Sequence, residues 1–183
     1  SNVRDIGVST SANHKFFTKL HPSCLSGYLQ KDEISSSLGW AVTFASEGNF
    51  VLTPSTDEAA IRVNYEIPPR HMILHSRTIS GLTERQSEIA RLAIIFSLGR
   101  RDLADELKVS DQWSYGMVSE LYEKLGLDEL INRESDPSLY LESDPVIKSH
   151  IKEIFSELGQ SKKPHDLETL AFHLLTMPSI EQL

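Results

Sequence analysis

The sequence has very little cysteine. Cys24 is the only cysteine among its 183 residues, so no disulfide can form within the chain, and no Cys/His zinc motif is present. This scarcity favours a reducing compartment, in which we expect Cys24 to be a small buried thiol rather than a reactive one. The sequence also indicates no cofactor.

Long apolar runs are missing as well. No stretch approaches the ~20 residues that a membrane-spanning helix needs, and residues 1–15 lack the apolar core of a signal peptide. The sequence therefore predicts a soluble cytoplasmic protein that does not act on a membrane.

Positive charge is the third deficit. The chain has 18 Lys and Arg against 26 Asp and Glu, a formal net charge of −8. Such a chain repels a polyanion, so nucleic-acid binding would require a local basic face. Residues 1–79 carry 7 basic and 7 acidic side chains, residues 80–130 carry 6 and 10, and residues 131–183 carry 5 and 9. The deficit therefore lies in the last two segments.

The residues that are present predict an α+β fold class. In segment 1–79, a helix-like stretch at 13–20 precedes a run of strand signals, and the polar first ten residues are expected to fray. The expected strands are WAVTFA at 40–45, NFVL at 49–52, the alternating AIRVNYEI at 60–67, and HMILHSRTI at 71–79. We expect a small antiparallel sheet of three or four strands, with Trp40 in its core. Such a module would serve as a sensor or for dimerisation.

Helical periodicity begins at residue 82. Thr83 and Gln86 have the spacing of a capping box, and the apolar stripe that follows is expected to end at Gly99. A second helix is predicted from Arg101 to Leu107. Ser110 can cap a third, which is expected to end at Gly126. Three short helices with tight turns form a helix-turn-helix pattern over segment 80–130.

Segment 131–183 is predicted to be a C-terminal helical extension. Ser143-Asp144-Pro145 is typical of a helix start, and an apolar stripe runs from Ile147 to Leu158. A final helix is predicted over Leu167–Leu175. The stripes of these helices could be buried in a dimer interface or against the first segment.

Residues 82–127 resemble the LuxR-type helix-turn-helix of bacterial transcription regulators. The matching elements are LTERQSEIARL at 82–92, RRDLADELKVSD at 100–111 and VSELYEKLGL at 118–127. One additional residue lies between the first two helices, around Ser97 to Gly99. The resemblance covers about a quarter of the chain, and it implies a DNA-binding regulator without enzymatic activity.

This resemblance assigns roles to eight residues. The start of the third helix would enter the major groove and read base edges there. The candidate reading residues are Gln112, Trp113, Tyr115 and Met117. The candidate phosphate contacts are Arg100, Arg101, Lys108 and Lys124. The expected partner is double-stranded DNA, bound by a homodimer.

A second interpretation follows from the departures from the family pattern. Ser114, Tyr115 and Met117 replace its usual apolar, basic and often histidine residues, and Gly116 weakens the helix by roughly 1 kcal/mol. Segment 111–124 has one basic residue against three acidic ones. The alternative is an acidic protein-interaction module, an antiactivator or adaptor that binds another regulator or RNA polymerase.

The sequence was also searched for metal-binding and catalytic motifs. His71 and His75 would lie ~13 Å apart in a strand, too far to share a metal. No nucleophile elbow, phosphate-binding glycine loop or HExxH motif is present in the sequence. We therefore expect no catalytic residues and no metal site.

Overall fold

A computed structural model of the chain describes residues 5–19, 24–77, 79, 81–127 and 164–182, together with the single positions 149 and 153. The helix predicted around the stripe from Ile147 to Leu158 lies outside the described residues, apart from Ser149 and Glu153, which are helical. The chain forms two compact units. The first contains residues 1–77 and 177–183, and the second contains residues 78–176.

The first unit is built on a five-stranded sheet with the spatial order β1-β2-β3-β4-β5. Strands β1 to β4 are parallel to their neighbours, and β5 pairs with β4 in the antiparallel direction. The strands are β1 (Asp5–Ser9), β2 (Leu25–Gln30), β3 (Phe50–Leu52), β4 (His71–His75) and β5 (Ser179–Gln182).

Helices lie in the connections between these strands. They are α1 (His14–Lys19), α2 (Lys31–Ile34), α3 (Leu38–Ser46) and α4 (Pro54–Arg62), with a 3-10 turn at Ser35–Ser37 between α2 and α3. Parallel neighbours require such crossover connections, whereas a hairpin joins only antiparallel strands. The prediction of a small antiparallel module within an α+β fold is therefore wrong, and the fold is of the α/β type.

Two of the predicted strands do not form, because a helix includes all or part of each segment. Segment 40–45 lies in α3, and segment 60–67 contains the end of α4 and the turn after it. Helix α4 starts upstream, where Pro54 occupies the first turn and the Thr53 N–H donates to Thr56 Oγ1 at 2.8 Å. Because the helix is already propagating, it takes in the residues that alone resemble a strand.

Some of the other predictions for this unit are confirmed, and others are wrong. The helix at 13–20 and the strand at 49–52 are confirmed in α1 and β3, and the strand predicted over 71–79 is confirmed as far as His75 in β4. Trp40 is buried at 6% exposure. The expectation of a frayed start is wrong for Asp5–Ser9, which pairs with β2, and residues 1–4 lie outside the described ones. Cys24 is exposed rather than buried, since it precedes β2 instead of lying within it.

The core of the first unit is aromatic. The Tyr28 ring stacks on Phe16 with centroids 4.0 Å apart and meets Phe17 edge to face at 5.3 Å. Its hydroxyl group lies 2.8 Å from Ser9 Oγ, which satisfies the polar end of a buried side chain. The three consecutive residues Phe50–Leu52 are all buried. Since neighbouring strand residues point to opposite faces, both faces of β3 are covered.

The second unit is helical. Its elements among the described residues are α5 (Glu84–Ala90), a π-helical turn (Arg91–Ile95), α6 (Arg100–Leu107), α7 (Asp111–Lys124) and α8 (Pro164–Thr176). No helix among the described residues has the length and apolar character to cross a membrane.

The predicted helix signals of this unit are confirmed. Gln86 N donates to Thr83 Oγ1 at 3.2 Å, and Thr83 N donates to Gln86 Oε1 at 3.0 Å, which completes the capping box. Ser110 Oγ accepts from Trp113 N at 3.2 Å. Gly126 follows α7 with a φ of 69°. Gly99, however, lies at the start of α6, because the preceding helix ends in the π turn.

Candidate nucleic-acid interface

Helices α6 and α7 are joined by a turn of three residues. Lys108 ends α6 in the left-handed conformation, with φ 56° and ψ 47°, and the Val109 N–H donates to Ala104 O at 2.9 Å. Ala104 is almost fully buried, and helices α6 and α7 pack against each other. This turn gives the two helices the connectivity of a helix-turn-helix.

Ser114 fastens α7 to α6. It is buried, and its hydroxyl group lies 2.9 Å from Arg100 O and 2.8 Å from Asp111 O. At this position the resemblance leads one to expect an apolar side chain. The hydrogen bond that the Ser114 hydroxyl donates to Arg100 O replaces apolar packing, and it gives this buried polar group a partner.

The predicted reading residues lie on the amino-terminal half of α7. Gln112 is exposed, Trp113 is 37% exposed and Tyr115 is 61% exposed. Met117 is half-buried. In the carboxyl-terminal half, Val118 and Leu121 pack into the core of the unit. The exposed half is thus a side-chain surface that the helical core does not use.

The predicted phosphate contacts are not equivalent. Arg101 and Lys108 are exposed, and neither forms an ion pair with another described residue. Arg100 is half-buried beside the Tyr122 hydroxyl group. Lys124 lies roughly 20 Å along the helix from Asp111. Of these four predicted contacts, Arg101 and Lys108 are the exposed cations near the start of α7.

Lys124 belongs to a polar cluster that holds α5 against α7. Its Nζ donates to Gln86 Oε1 at 3.1 Å and lies 3.4 Å from Glu120 Oε1. Gln86 Nε2 donates to the same Glu120 oxygen at 3.0 Å. The capping spacing predicted the local role of Gln86, whereas its link to α7 depends on side chains 34 and 38 residues away.

Acidic residues surround the two exposed cations. Residues 100–124 contain four basic and six acidic side chains, and Asp102, Asp105, Glu106 and Asp111 are all exposed. A phosphate backbone that approaches α7 would therefore meet a mixed field instead of a continuous basic face.

Sequence reasoning did not predict a cleft in the same unit. The cleft has a volume of about 520 Å³, and Arg100 and Tyr115 contribute to its lining. Its other walls come from the π turn and α8. No local signal marks it, because a π turn has no sequence signature as clear as a capping box.

The two histidines of β4 have separate partners. His71 Nδ1 lies 2.9 Å from Pro68 O, and His75 Nε2 lies 3.3 Å from Glu181 Oε2 on β5. Within the described ranges, no three His, Cys, Asp or Glu side chains are grouped so that they could hold a metal ion.

His173 on α8 makes the stability of the fold depend on pH. Burial lowers the pKa of His173 from its usual value of 6.5. Between the lowered pKa and 6.5, the unfolded chain binds more protons than the folded chain, so the free energy of unfolding rises with pH in this window and falls on acidification. We expect His173→Gln to flatten this dependence in urea titrations at a series of pH values. The exposed His14→Gln is the control, and an equal flattening in both variants would contradict the assignment.

No family model, curated protein or solved structure matches the chain. The interpretation of α5 to α7 therefore depends on the residues and contacts of this chain.

Proposed function

We propose that residues 82–127 are a helix-turn-helix that binds double-stranded DNA, and that the chain is a transcription regulator. The observation that carries this proposal is the division of α7. Its buried residues, including Ser114, fix it against α6, while Gln112, Trp113 and Tyr115 remain exposed at its amino-terminal end. A reading helix requires this division, because it enters the major groove with its first turns.

The exposed side chains suit particular parts of a duplex. The amide of Gln112 can form two hydrogen bonds with adenine, and Trp113 and Tyr115 offer apolar contact to thymine methyl groups. Arg101 and Lys108 flank the turn and would contact phosphates, which sets the orientation of α7. A homodimer would bind two half-sites about one helical turn of DNA apart.

The test is a salt titration of binding to duplex DNA. Each phosphate contact contributes roughly 0.9 to the slope of log K against log salt concentration. We expect Arg101→Ala to weaken binding and to reduce the slope by about one, because it removes one such contact. Fluorescence anisotropy of a labelled duplex measures both quantities.

Arg62→Ala is the matched control. Arg62 is an exposed arginine of the other unit and pairs with Glu58 at 3.3 Å, so its loss is expected to leave the slope unchanged. If both variants lower the slope equally, or if the wild-type chain shows no salt-dependent binding, the DNA proposal fails.

A second function is favoured by the mixed charge of the same surface. The four exposed acids around Arg101 and Lys108 oppose DNA, and the large exposed rings of Trp113 and Tyr115 are typical anchors of protein interfaces. In this alternative, the module binds another regulator or RNA polymerase. Duplex binding would then be absent, and Trp113→Ala would abolish a complex with RNA polymerase that Arg101→Ala preserves in size-exclusion chromatography.

A further inference from the structure

The cleft in the helical unit has the volume of a small-molecule site. Its 520 Å³ lies within the range of roughly 300–1,000 Å³ that is usual for ligand pockets. The Arg91–Ile95 turn supplies Ala93 and Ile94 to its lining. Single π-helical turns are often found at functional sites.

The apolar part of the lining ends in two exposed rings. Phe172 from α8 is 40% exposed and Tyr115 from α7 is 61% exposed, and both border the cleft. Leu98 adds a half-buried aliphatic surface. The aromatic rings can contact a flat apolar group, and the aliphatic residues can exclude water from it.

Two side chains of opposite charge border the cleft and do not form an ion pair with each other. Arg100 and Glu168 both line it, yet neither forms an ion pair with any other residue in the described part of the chain. Burial and the Glu168 carboxylate raise the pKa of Tyr122, while the Arg100 guanidinium lowers it. Both charges therefore lie within electrostatic reach of one hydroxyl group. A half-buried guanidinium can bind a carboxylate through two parallel hydrogen bonds.

We propose that this cleft binds a small zwitterion with an apolar side chain, of the class of aromatic α-amino acids. The ligand carboxylate would bind Arg100, its ammonium group would bind Glu168, and its ring would contact Tyr115 and Phe172. A dipolar ligand meets both charges at once, whereas a simple anion would leave Glu168 facing a like charge.

Isothermal titration calorimetry of the full chain tests this proposal with three probes. L-phenylalanine carries both charges, 3-phenylpropionate lacks the ammonium group, and 2-phenylethylamine lacks the carboxylate. We expect each analogue to bind about tenfold or more weakly than L-phenylalanine, because each loses one charged hydrogen-bonding pair. If L-phenylalanine does not bind, or binds no better than both analogues, the proposal is overturned.

Matched variants locate the binding site. Arg100→Gln and Glu168→Gln are expected to weaken L-phenylalanine binding about tenfold or more. Arg85→Gln and Glu123→Gln remove exposed charges outside the cleft and are expected to leave the affinity unchanged. Equal losses in a cleft variant and its control would overturn the assignment. The probe series on the wild-type chain decides the matter even if a cleft variant does not fold.

A ligand in this cleft would also act on DNA binding, an effect that depends on the proposed function. Arg100 and Tyr115 belong both to the cleft and to the predicted interface, so saturating L-phenylalanine is expected to weaken duplex binding. Calorimetry detects the ligand without DNA, and duplex titration detects DNA without the ligand. The two proposals can therefore fail separately. If both molecules bind without affecting each other, the coupling is wrong.

Discussion

Gly27→Ala is expected to destabilise the sheet unit by ~3 kcal/mol, the upper end of the usual cost of overpacking. Gly27 pairs with Val51 across β2 and β3, and a Cβ atom added there would overlap the Val51 carbonyl oxygen and Cγ2. The carbonyl oxygen belongs to the backbone of a central strand. The overlap can therefore be relieved only if β2 and β3 move apart.

Gly39→Ala provides the matched control in the same unit. Gly39 is exposed on α3, and an added Cβ atom would have no neighbour within 4 Å. Alanine there is expected to stabilise the helix by about 0.5–1 kcal/mol. Urea unfolding monitored by Trp40 fluorescence, in a Trp113→Phe background, measures both changes. Equal effects of the two substitutions would contradict the close approach of β2 and β3.

Leu121→Ala is expected to destabilise the helical unit by about 2–5 kcal/mol. Leu121 is fully buried on α7, so alanine would lose the transfer free energy of the removed atoms and leave a cavity behind. The loss of this packing is also expected to weaken the proposed DNA binding, because the buried residues of α7 hold its exposed half in place.

Hydrogen exchange measured by mass spectrometry can locate this change along the chain. Peptides from residues 111–127 are expected to lose protection in Leu121→Ala. Tyr115→Ala, on the exposed side of the same helix, is expected to change stability by no more than about 0.5 kcal/mol. Similar losses of protection in both variants would show that Leu121 is not the core contact that the structure describes.

Local signals were sufficient for much of the helical unit. The capping box at Thr83, the cap at Ser110 and the glycine after α7 each act within one helical turn, so they can be read from neighbouring residues. The same reasoning failed at 40–45 and 60–67, where β-rich composition is overridden by helices. Composition alone does not tell a short buried helix from a strand.

The candidate site was predictable in part. The resemblance pointed to Gln112, Trp113, Tyr115 and Met117, and the structure leaves the first three exposed on α7, whereas Met117 is half-buried. It grouped Lys124 with Arg100, Arg101 and Lys108, whereas the structure places Lys124 in the cluster with Gln86 and Glu120. Partner choice among charged side chains depends on distances between helices, which sequence spacing does not contain.

The sequence by itself determined the charge deficit and the ends of α6 and α7, because composition and capping are local properties. Only the tertiary structure decided the direction of the strands, the return of residues 179–182 to the sheet as β5, and the existence of the cleft. The pairing of β5 with β4 joins residues more than 100 positions apart, such as His75 and Glu181. Contacts of that kind are selected by packing in three dimensions, because a strand can pair in either direction and with many possible partners.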